Sequence, residues 1–222
     1  MLSLATKLPR NAALLIALLA LILAAPLLPP ERSWFFVELM FDSILIAGVY
    51  SVGNFKLRWA FLLLTVVTLS VRWAELLSGL RGMDVGALAL TAAWLAFAVT
   101  VIVYHLFQHR DVDVDTILGA IVTYLLAAVA FAIVFQMLEL LRPGAFSGLT
   151  DDAHLARAKL ADTMLYYSLV CITTMGYGDI VPVGPLARPL SVFAGVFGQL
   201  YLAVMIARLV GLHIARQGAK PE

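Results

Sequence analysis

The sequence has little charge and a single cysteine. Charged residues make up 13% of its positions, whereas soluble domains carry about 25%. The formal net charge is +1, and Lys and Arg are scattered between apolar blocks instead of forming a basic run. The sequence therefore lacks the electrostatic footprint of a nucleic-acid-binding protein. With Cys171 as its one cysteine, the chain can form neither an intramolecular disulfide nor a metal site built from several cysteines.

Apolar residues dominate the composition of the chain. They make up 63% of the chain, against about 45–50% in soluble domains. A helix needs about 20 apolar residues to cross the hydrocarbon core of a bilayer, and six blocks approach that length. We therefore predict an all-α integral membrane protein with six transmembrane helices. The predicted spans cover residues 11–28, 34–52, 59–77, 85–107, 116–141 and 189–212.

The first block has an alternative interpretation. Lys7 and Arg10 precede its apolar run and Ala24-Ala25 lies near its end, which is also the pattern of a secretory signal peptide. Its removal would leave five spans and the same later topology. Lys and Arg divide almost evenly between the two sides, although the short early connections favour a cytoplasmic N terminus. Charge alone therefore leaves the orientation open.

The long connection lies between the fifth and sixth blocks, over residues 142–188. It holds a shorter apolar stretch, 162–173, which is too short to span and which we interpret as a re-entrant helix. Asp162 is a good N-cap residue and marks the predicted start of that helix. We divide the chain into a four-helix N-terminal membrane domain, 1–112, and a second domain, 113–222, that contains this segment.

A glycine-containing segment follows directly on the predicted short helix. It reads Thr173-Thr174-Met175-Gly176-Tyr177-Gly178-Asp179. Gly176 and Gly178 can adopt φ > 0, which lets successive carbonyl groups point the same way. The segment resembles the selectivity filter of the potassium channel family, TVGYG followed by Asp. The resemblance covers the short helix, this segment and the last two spans.

The resemblance implies how the site works. Potassium sheds its hydration shell, and backbone carbonyls from four subunits replace the lost waters. The implied assembly is a homotetramer, in which each chain meets three identical subunits within the lipid bilayer. Domain 113–222 is then the pore domain, and both termini are cytoplasmic. K⁺ is expected at Thr174, Met175, Gly176 and Tyr177, with Gly178 completing the filter and the Thr174 hydroxyl as the innermost ligand.

We therefore expect a multi-pass potassium channel of the cell membrane that conducts K⁺ passively, with K⁺ as the transported ion and no cofactor. A weakly selective monovalent cation channel is the alternative, because Met175 stands where the family usually has Val or Ile and is more flexible. A potassium transporter subunit and a non-conducting adaptor are further alternatives. We expect no enzyme, because no motif brings a nucleophile, a base and an oxyanion donor together.

The resemblance also assigns residues that support the filter. Tyr166 and Tyr167 occupy the positions of a pair of pore-helix aromatic residues, and we expect them to brace the filter through the Tyr177 ring. Val170 stands where some family members carry a Glu that partners the Asp after the filter. Asp179 is therefore expected to bond another group of the pore helix or to face water.

Two glycines in the sixth span are candidates for a gate hinge. Gly195 and Gly198 lie at about the level where the inner helix of the family bends. Kinks gather at glycine, but glycine also permits close packing of membrane helices. Both roles stay open at this point.

The fourth span carries no Lys, Arg, Asp or Glu over residues 85–107. Each charge that moves through the membrane field contributes about 2.3 kcal/mol per 100 mV, so steep voltage dependence needs several charges per subunit. We therefore expect no conventional voltage sensor. Only a short tail follows Gly211, so we expect regulation from the membrane part, from lipid or from an unknown regulatory chain.

Other charged and titratable residues form two groups. Glu38, Asp42 and Arg72 are candidates for an intramembrane ion pair, in which Arg72 pairs with Asp42 or Glu38. His105 and His109 lie close in sequence to Asp111, Asp113 and Asp115. This second group is either a proton or divalent-ion sensor or a loop whose aspartates cap the helix that begins near Thr116.

Overall fold

The structure is a computed structural model that describes residues 10–24, 42, 55–78, 84–108, 113–149 and 157–218. Its described elements are six helices and one pair of two-residue strands. In chain order they are α1 (Arg10–Ala24), α2 (Phe55–Ser78), α3 (Asp84–Gln108), α4 (Val114–Leu141), β1 (Phe146–Ser147), α5 (Arg157–Ile172), β2 (Val181–Pro182) and α6 (Ala187–Gly218). The predicted helical class is confirmed for these residues.

Three described helices are long and apolar enough to cross a membrane. They are Val85–Gln108, Val114–Leu141 and Ala187–Leu212. Helices α1 and α2 contain shorter apolar stretches, Asn11–Leu23 and Phe61–Ala74. Of the predicted second span, 34–52, all but Asp42 lies outside the described residues. The chain is thus a helical membrane protein, and the count of six spans stays a prediction.

Helix α4 has clear start and stop signals. The Asp113 carboxylate accepts the Thr116 N–H at 2.8 Å, so Asp113 is the N-cap. Asp115 adds a negative charge in the first turn, where the helix dipole favours one. The helix ends just before Pro143, because proline cannot continue it. These signals set the ends of the central helix of the fold.

The largest buried cluster joins the N-terminal helices to α4. Leu14 of α1, Trp94 of α3 and Leu126 of α4 are fully buried in it. Phe61 of α2 packs edge-on against Trp94, with ring centroids 5.3 Å apart, and Met205 of α6 closes the cluster. The apolar core therefore crosses residue 112, where we predicted the domain boundary, and that division stays a prediction.

Helix α5 begins earlier than the sequence indicated. Its first residue is Arg157, and Asp162 lies inside the helix, so the prediction that Asp162 caps it is wrong. Leu160, Met164 and Tyr167 recur at helical spacing, and all three are buried in one cluster. This packing extends the helix through the charged residues that we took to be its boundary.

Candidate functional site

Helix α5 is fixed by groups on both neighbouring helices. Ser168 Oγ donates to the Ala128 carbonyl of α4 at 2.6 Å. The Tyr124 hydroxyl of α4 donates to the Ile172 carbonyl at 2.9 Å. From α6, Gly198 approaches so closely that a Cβ there would lie 2.0 Å from the Ile172 oxygen. The C-terminal end of α5, where the glycine-containing segment begins, is therefore held on two sides.

The two candidate hinge glycines differ in their surroundings. Both lie in α6, which continues unbroken from Ala187–Gly218. A Cβ at Gly195 would make an ordinary contact, 3.5 Å from the Cys171 carbonyl oxygen. Gly198, by contrast, needs to be glycine for the close approach to α5 just described. Close packing therefore accounts for Gly198, and a hinge role stays a prediction for both residues.

The segment after α5 folds back onto one carbonyl. The N–H groups of Met175 and Gly176 both donate to the Val170 carbonyl, at 3.0 and 3.4 Å. A trans peptide unit is planar and holds its C=O opposite its N–H. The Thr174 carbonyl is in the same peptide unit as the Met175 N–H, and the Met175 carbonyl is in the same unit as the Gly176 N–H. Since both N–H groups point towards Val170, both carbonyl groups point away from it. Val170 thus supports the segment through its backbone, not its side chain.

The sign of φ alternates along the same residues. Thr174, Gly176 and Gly178 have φ of +59°, +57° and +80°, whereas φ is not positive at Met175 or Tyr177. In an extended strand, successive residues face opposite sides, but alternating left- and right-handed conformations align successive peptide groups. Thr174 is the one non-glycine residue with positive φ in the described ranges. Such a conformation is sterically costly, and residues that adopt it cluster at functional sites.

Tyr166 ties α5 to the far end of the segment. Its ring stacks on the Tyr177 ring, with centroids 6.4 Å apart and an interplanar angle of 12°. Its hydroxyl donates to Asp179 Oδ2 at 2.7 Å, and this bond lowers the pKa of the Asp179 carboxyl. Of the two expectations for Asp179, the bond to a group of α5 is the one found. In the single chain, Met175 and Tyr177 are 62% and 65% exposed.

The buried carboxylate of Glu139 anchors the loop between α4 and α5, which packs against the glycine-containing segment at Asp179. Strand β1 pairs antiparallel with β2, and Gly148 follows β1 so close to the segment that a Cβ would lie 1.9 Å from the Asp179 carbonyl oxygen. Glu139 is 2% exposed; its Oε1 accepts the Gly144 N–H at 2.7 Å and its Oε2 accepts the Phe146 N–H at 3.1 Å. Sequence reasoning missed Glu139, although a lone acidic residue ending an apolar helix was a usable signal.

Comparison with known proteins identifies the region that carries this geometry. Residues 121–213 match the family described as "Ion channel". Over 84 residues the chain is 33% identical to Inward rectifier potassium channel Kirbac3.1 from Paramagnetospirillum magnetotacticum, covering 38% of this chain and 23% of that relative. Over residues 121–213 the chain therefore has an ion-channel domain, and it is similar there to the potassium channel family. The channel is also 27% identical to Protein LctB from Bacillus caldotenax over 130 residues, covering 58% of the channel chain and 96% of that relative. No solved structure matches it.

The two adjacent tyrosines of the channel's α5 face different ways. Tyr167 is buried, with its ring 5.1 Å from both Phe135 and Phe146 between centroids. Its hydroxyl donates to Ser191 Oγ of α6 at 2.6 Å. The expected contact of Tyr167 with the filter is therefore absent within the described part of the chain. Neighbouring helical residues point about 100° apart, so when Tyr166 faces the filter segment, Tyr167 faces α4 and α6.

One of the predicted intramembrane pairs is present in the channel. Arg72 Nε lies 3.8 Å from Asp42 Oδ1, an ion pair too long for a hydrogen bond. Trp73 Nε1 donates to the other oxygen, Asp42 Oδ2, at 3.1 Å. Glu38 lies outside the described residues. The Arg72 and Asp42 pairing is therefore confirmed as a contact, and its role stays a prediction.

The connection between α3 and α4 of the channel favours capping over sensing. Asp113 caps α4, as one of the two interpretations required. His109 and Asp111 lie outside the described residues, and His105 packs against Tyr104 with ring centroids 6.1 Å apart. The proton or divalent-ion sensor stays a prediction.

Proposed function

We propose that this chain forms a potassium-selective channel in which Thr174-Met175-Gly176-Tyr177-Gly178 is the selectivity filter of a homotetramer. The main support for this proposal is that the Met175 and Gly176 N–H groups both donate to the Val170 carbonyl, so that the Thr174 and Met175 carbonyls face the same side. The alternation of φ at Thr174, Gly176 and Gly178 supports the same arrangement for the rest of the segment. The relative whose name is an inward rectifier potassium channel supports potassium as the ion.

A row of carbonyl oxygens binds a bare cation by replacing its water. One chain supplies one row, so a ring of ligands around an ion requires several chains, and the family resemblance gives four. The exposure of Met175 and Tyr177 supports this, because a neighbouring subunit would cover side chains that point away from the ion. K⁺ is then the cargo, held in turn by oxygens of Thr174, Met175, Gly176 and Tyr177.

The proposed topology has six spans, with α5 re-entrant between the last two and both termini cytoplasmic. Helix α5 has 16 residues, too few to cross about 30 Å of hydrocarbon. Its C-terminal partial negative charge favours a cation beyond Ile172. Helix α3 carries no Lys or Arg, which supports a pore without a conventional voltage sensor. The match is to a channel family, and we propose no enzymatic activity.

The deciding experiment is a reversal-potential measurement on the purified protein in planar bilayers under opposed K⁺ and Na⁺ gradients. A selective filter gives a reversal potential that follows the K⁺ gradient. Gly176→Ala should abolish that selectivity, because alanine at φ +57° is strained and the carbonyl row is displaced. Gly144→Ala is the matched control: Gly144 also has positive φ, at +85°, and open space around it, but lies outside the filter.

A weakly selective cation channel is the second candidate, and Met175 is the residue that favours it. A flexible methionine behind the carbonyl row holds the row less rigidly than a β-branched residue. A reversal potential near zero under opposed gradients would support this candidate and reject potassium selectivity. The mass of the detergent-solubilised assembly, measured in parallel, tests the tetramer independently, since a monomer would reject both candidates.

A further inference from the structure

Four helices meet at the end of the molecule opposite the filter. We call this the inner junction and define it by Asn11, Leu106, Asp115, Gly119 and Arg208. The backbone N–H of Asn11 donates to Asp115 Oδ1 at 3.1 Å, and Asn11 Nδ2 donates to the Asp115 carbonyl at 3.0 Å. At Gly119 a Cβ would lie 3.0 Å from Asn11 Nδ2 and 3.3 Å from Leu106 Cδ2. The starts of α1 and α4 and the end of α3 are therefore in direct contact.

Arg208 brings α6 into the inner junction. Its Nη2 donates to the Leu106 carbonyl at 2.7 Å, and its Cζ lies 4.7 Å from the centroid of the Phe107 ring. Leu106 belongs to the last turn of α3, where carbonyl groups lack a partner within the helix. A cation there also interacts favourably with the negative end of the helix dipole. Arg208 of α6 therefore acts as a C-terminal cap on α3.

Two stretches of α6 are held by different parts of the chain. Towards the filter, Gly198 packs directly on the end of α5. Towards the inner junction, the Tyr201 hydroxyl donates to the Ala120 carbonyl of α4 at 2.8 Å, and Arg208 binds α3. A displacement of α3 would therefore act on α6 at Arg208, whereas Gly198 packs on α5.

We propose that Arg208 is a positioning residue that couples opening of the pore to the position of α3. This rests on the proposed function, because it takes α6 as the helix whose inner end sets whether ions pass. The coupling needs no charge on α3, since Arg208 of α6 binds a backbone carbonyl in the last turn of α3. It gives the N-terminal helices control over the pore in a channel without a conventional voltage sensor.

The test is single-channel recording of the full chain in bilayers of fixed composition, with open probability and reversal potential measured together. Arg208→Met keeps a long apolar side chain but removes the donor and the charge, so we expect open probability to change about tenfold with an unchanged reversal potential. Arg208→Lys keeps a cationic donor and should restore most of the wild-type value. Arg188→Met is the control, because Arg188 is on the same helix and donates to a carbonyl, that of Pro182 at 3.4 Å, but at the opposite end.

A double-mutant cycle separates coupling from a purely structural role. Phe107→Leu removes the ring under the guanidinium and leaves the Leu106 carbonyl in place. We expect its effect on open probability to be non-additive with that of Arg208→Met. If Arg208→Met does not assemble, the test rests on Phe107→Leu alone. We then expect the open probability of Phe107→Leu to differ from that of wild type and of Arg188→Met.

Several results would overturn the coupling. The first is an open probability within twofold of wild type in both Arg208→Met and Phe107→Leu. The second is additive effects of these two substitutions in the double-mutant cycle. The third is a change in open probability in Arg188→Met as large as that in Arg208→Met. A wild type that passes Na⁺ and K⁺ equally rejects the proposed selectivity but leaves the coupling to be judged by open probability. A wild type that conducts no ion rejects both.

Discussion

The pore half of the channel and its N-terminal helices use hydroxyl groups differently. In α2 and α3, four threonine hydroxyls donate to the carbonyl four residues earlier in their own helix. They belong to Thr65, Thr68, Thr91 and Thr100. The pore half has bonds of this kind too, but it adds three that cross between helices, from Tyr124, Ser168 and Tyr201 to backbone carbonyls.

This difference bears on what each half can do. A hydrogen bond within one helix leaves that helix free to shift against its neighbours, whereas a bond across helices fixes their relative position. Membrane helices otherwise associate through packing, which tolerates small displacements. Two of the crossing bonds, from Tyr124 and Ser168, join α5 to α4 beside the proposed filter, whereas the third, from Tyr201, joins α6 to α4. Within α2 and α3, Trp94 Nε1 also donates across helices to Thr65 Oγ1, at 2.8 Å, but most of the packing of the N-terminal helices is apolar. We therefore expect these helices to shift more readily than the pore half.

The largest effect is expected from Gly198→Ala. The added Cβ would lie 2.0 Å from the Ile172 oxygen, so either α5 or α6 has to shift. Overpacking of this kind costs typically about 1–3 kcal/mol of unfolding free energy. We expect a lower thermal unfolding midpoint in detergent and a loss of potassium selectivity, because the end of α5 moves with the filter.

Gly211→Ala is the matched control on the same helix. A Cβ there meets nothing within 4 Å, and alanine is favoured over glycine in a helix by about 1 kcal/mol. Gly211→Ala should therefore keep or raise the unfolding midpoint. Should Gly198→Ala retain stability and selectivity and change only the open probability, the close packing would be unimportant and Gly198 would be a hinge.

Glu139→Gln should have the next largest effect. The carboxylate accepts two backbone N–H groups, those of Gly144 and Phe146, with one oxygen each. An amide has one oxygen, so its NH₂ faces the other N–H donor to donor. Hydrogen bonds to charged groups contribute about 1.5–3 kcal/mol, and we expect about 2 kcal/mol to be lost. Chemical denaturation in detergent measures it, and an unchanged unfolding free energy would show that the loop is held by β1 and β2 alone.

A paired substitution tests the comparison of hydroxyl groups itself. Tyr124→Phe removes the donor to the Ile172 carbonyl, which lies at the end of α5 and has no later helical turn to bond. We expect a loss of about 1 kcal/mol in unfolding free energy. Thr91→Val removes a buried hydroxyl whose acceptor, Ala87, already belongs to the ladder of α3, so its cost should be below about 0.5 kcal/mol. If thermal unfolding gives equal losses of unfolding free energy for Tyr124→Phe and Thr91→Val, the two halves do not differ in how their hydroxyl groups contribute to stability.

The sequence was sufficient for features that depend on local composition. Apolar runs predict helices, and the described helices fall on the predicted spans at 11–28, 59–77, 85–107, 116–141 and 189–212. A capping role for the aspartates before Thr116 was one of two interpretations of residue type and position, and Asp113 has that role. The positive φ at Gly176 and Gly178 followed from the absence of a Cβ.

Features that depend on which helices meet were out of reach. The start of α5 at Arg157 is set by the burial of Leu160 against other elements, and a scan for apolar runs stops at the charges instead. The orientation of Tyr167 depends on Ser191, which is 24 residues away in the sequence. Arg208 reads as an ordinary basic residue near a helix end until Leu106 is known to lie beside it. Each of these requires the tertiary fold.

The smallest effect concerns Asp179, which follows the proposed filter, and its pH dependence. The bond from Tyr166 favours the charged form of Asp179 and lowers the pKa of that carboxyl below its ordinary value of 3.8. The stabilisation is therefore complete above that value and is lost as pH falls through the lowered pKa. In Tyr166→Phe the pKa returns towards 3.8, so Asp179 accepts a proton at a higher pH. We expect acidification of the filter side to reduce the current at a higher pH in Tyr166→Phe than in wild type.

Tyr167→Phe is the control for this titration, because its hydroxyl bonds Ser191 and not the filter segment. It should leave the acid midpoint of the current where wild type has it. Asp179→Asn should remove the dependence on pH in this range, since an amide has no proton to gain. If the current has the same acid midpoint in wild type and in Tyr166→Phe, the hydrogen bond from Tyr166 to Asp179 is absent in the conducting state. The proposed filter would then be held from α5 by hydrogen bonds to the Val170 carbonyl, with no contribution from the Tyr166 side chain.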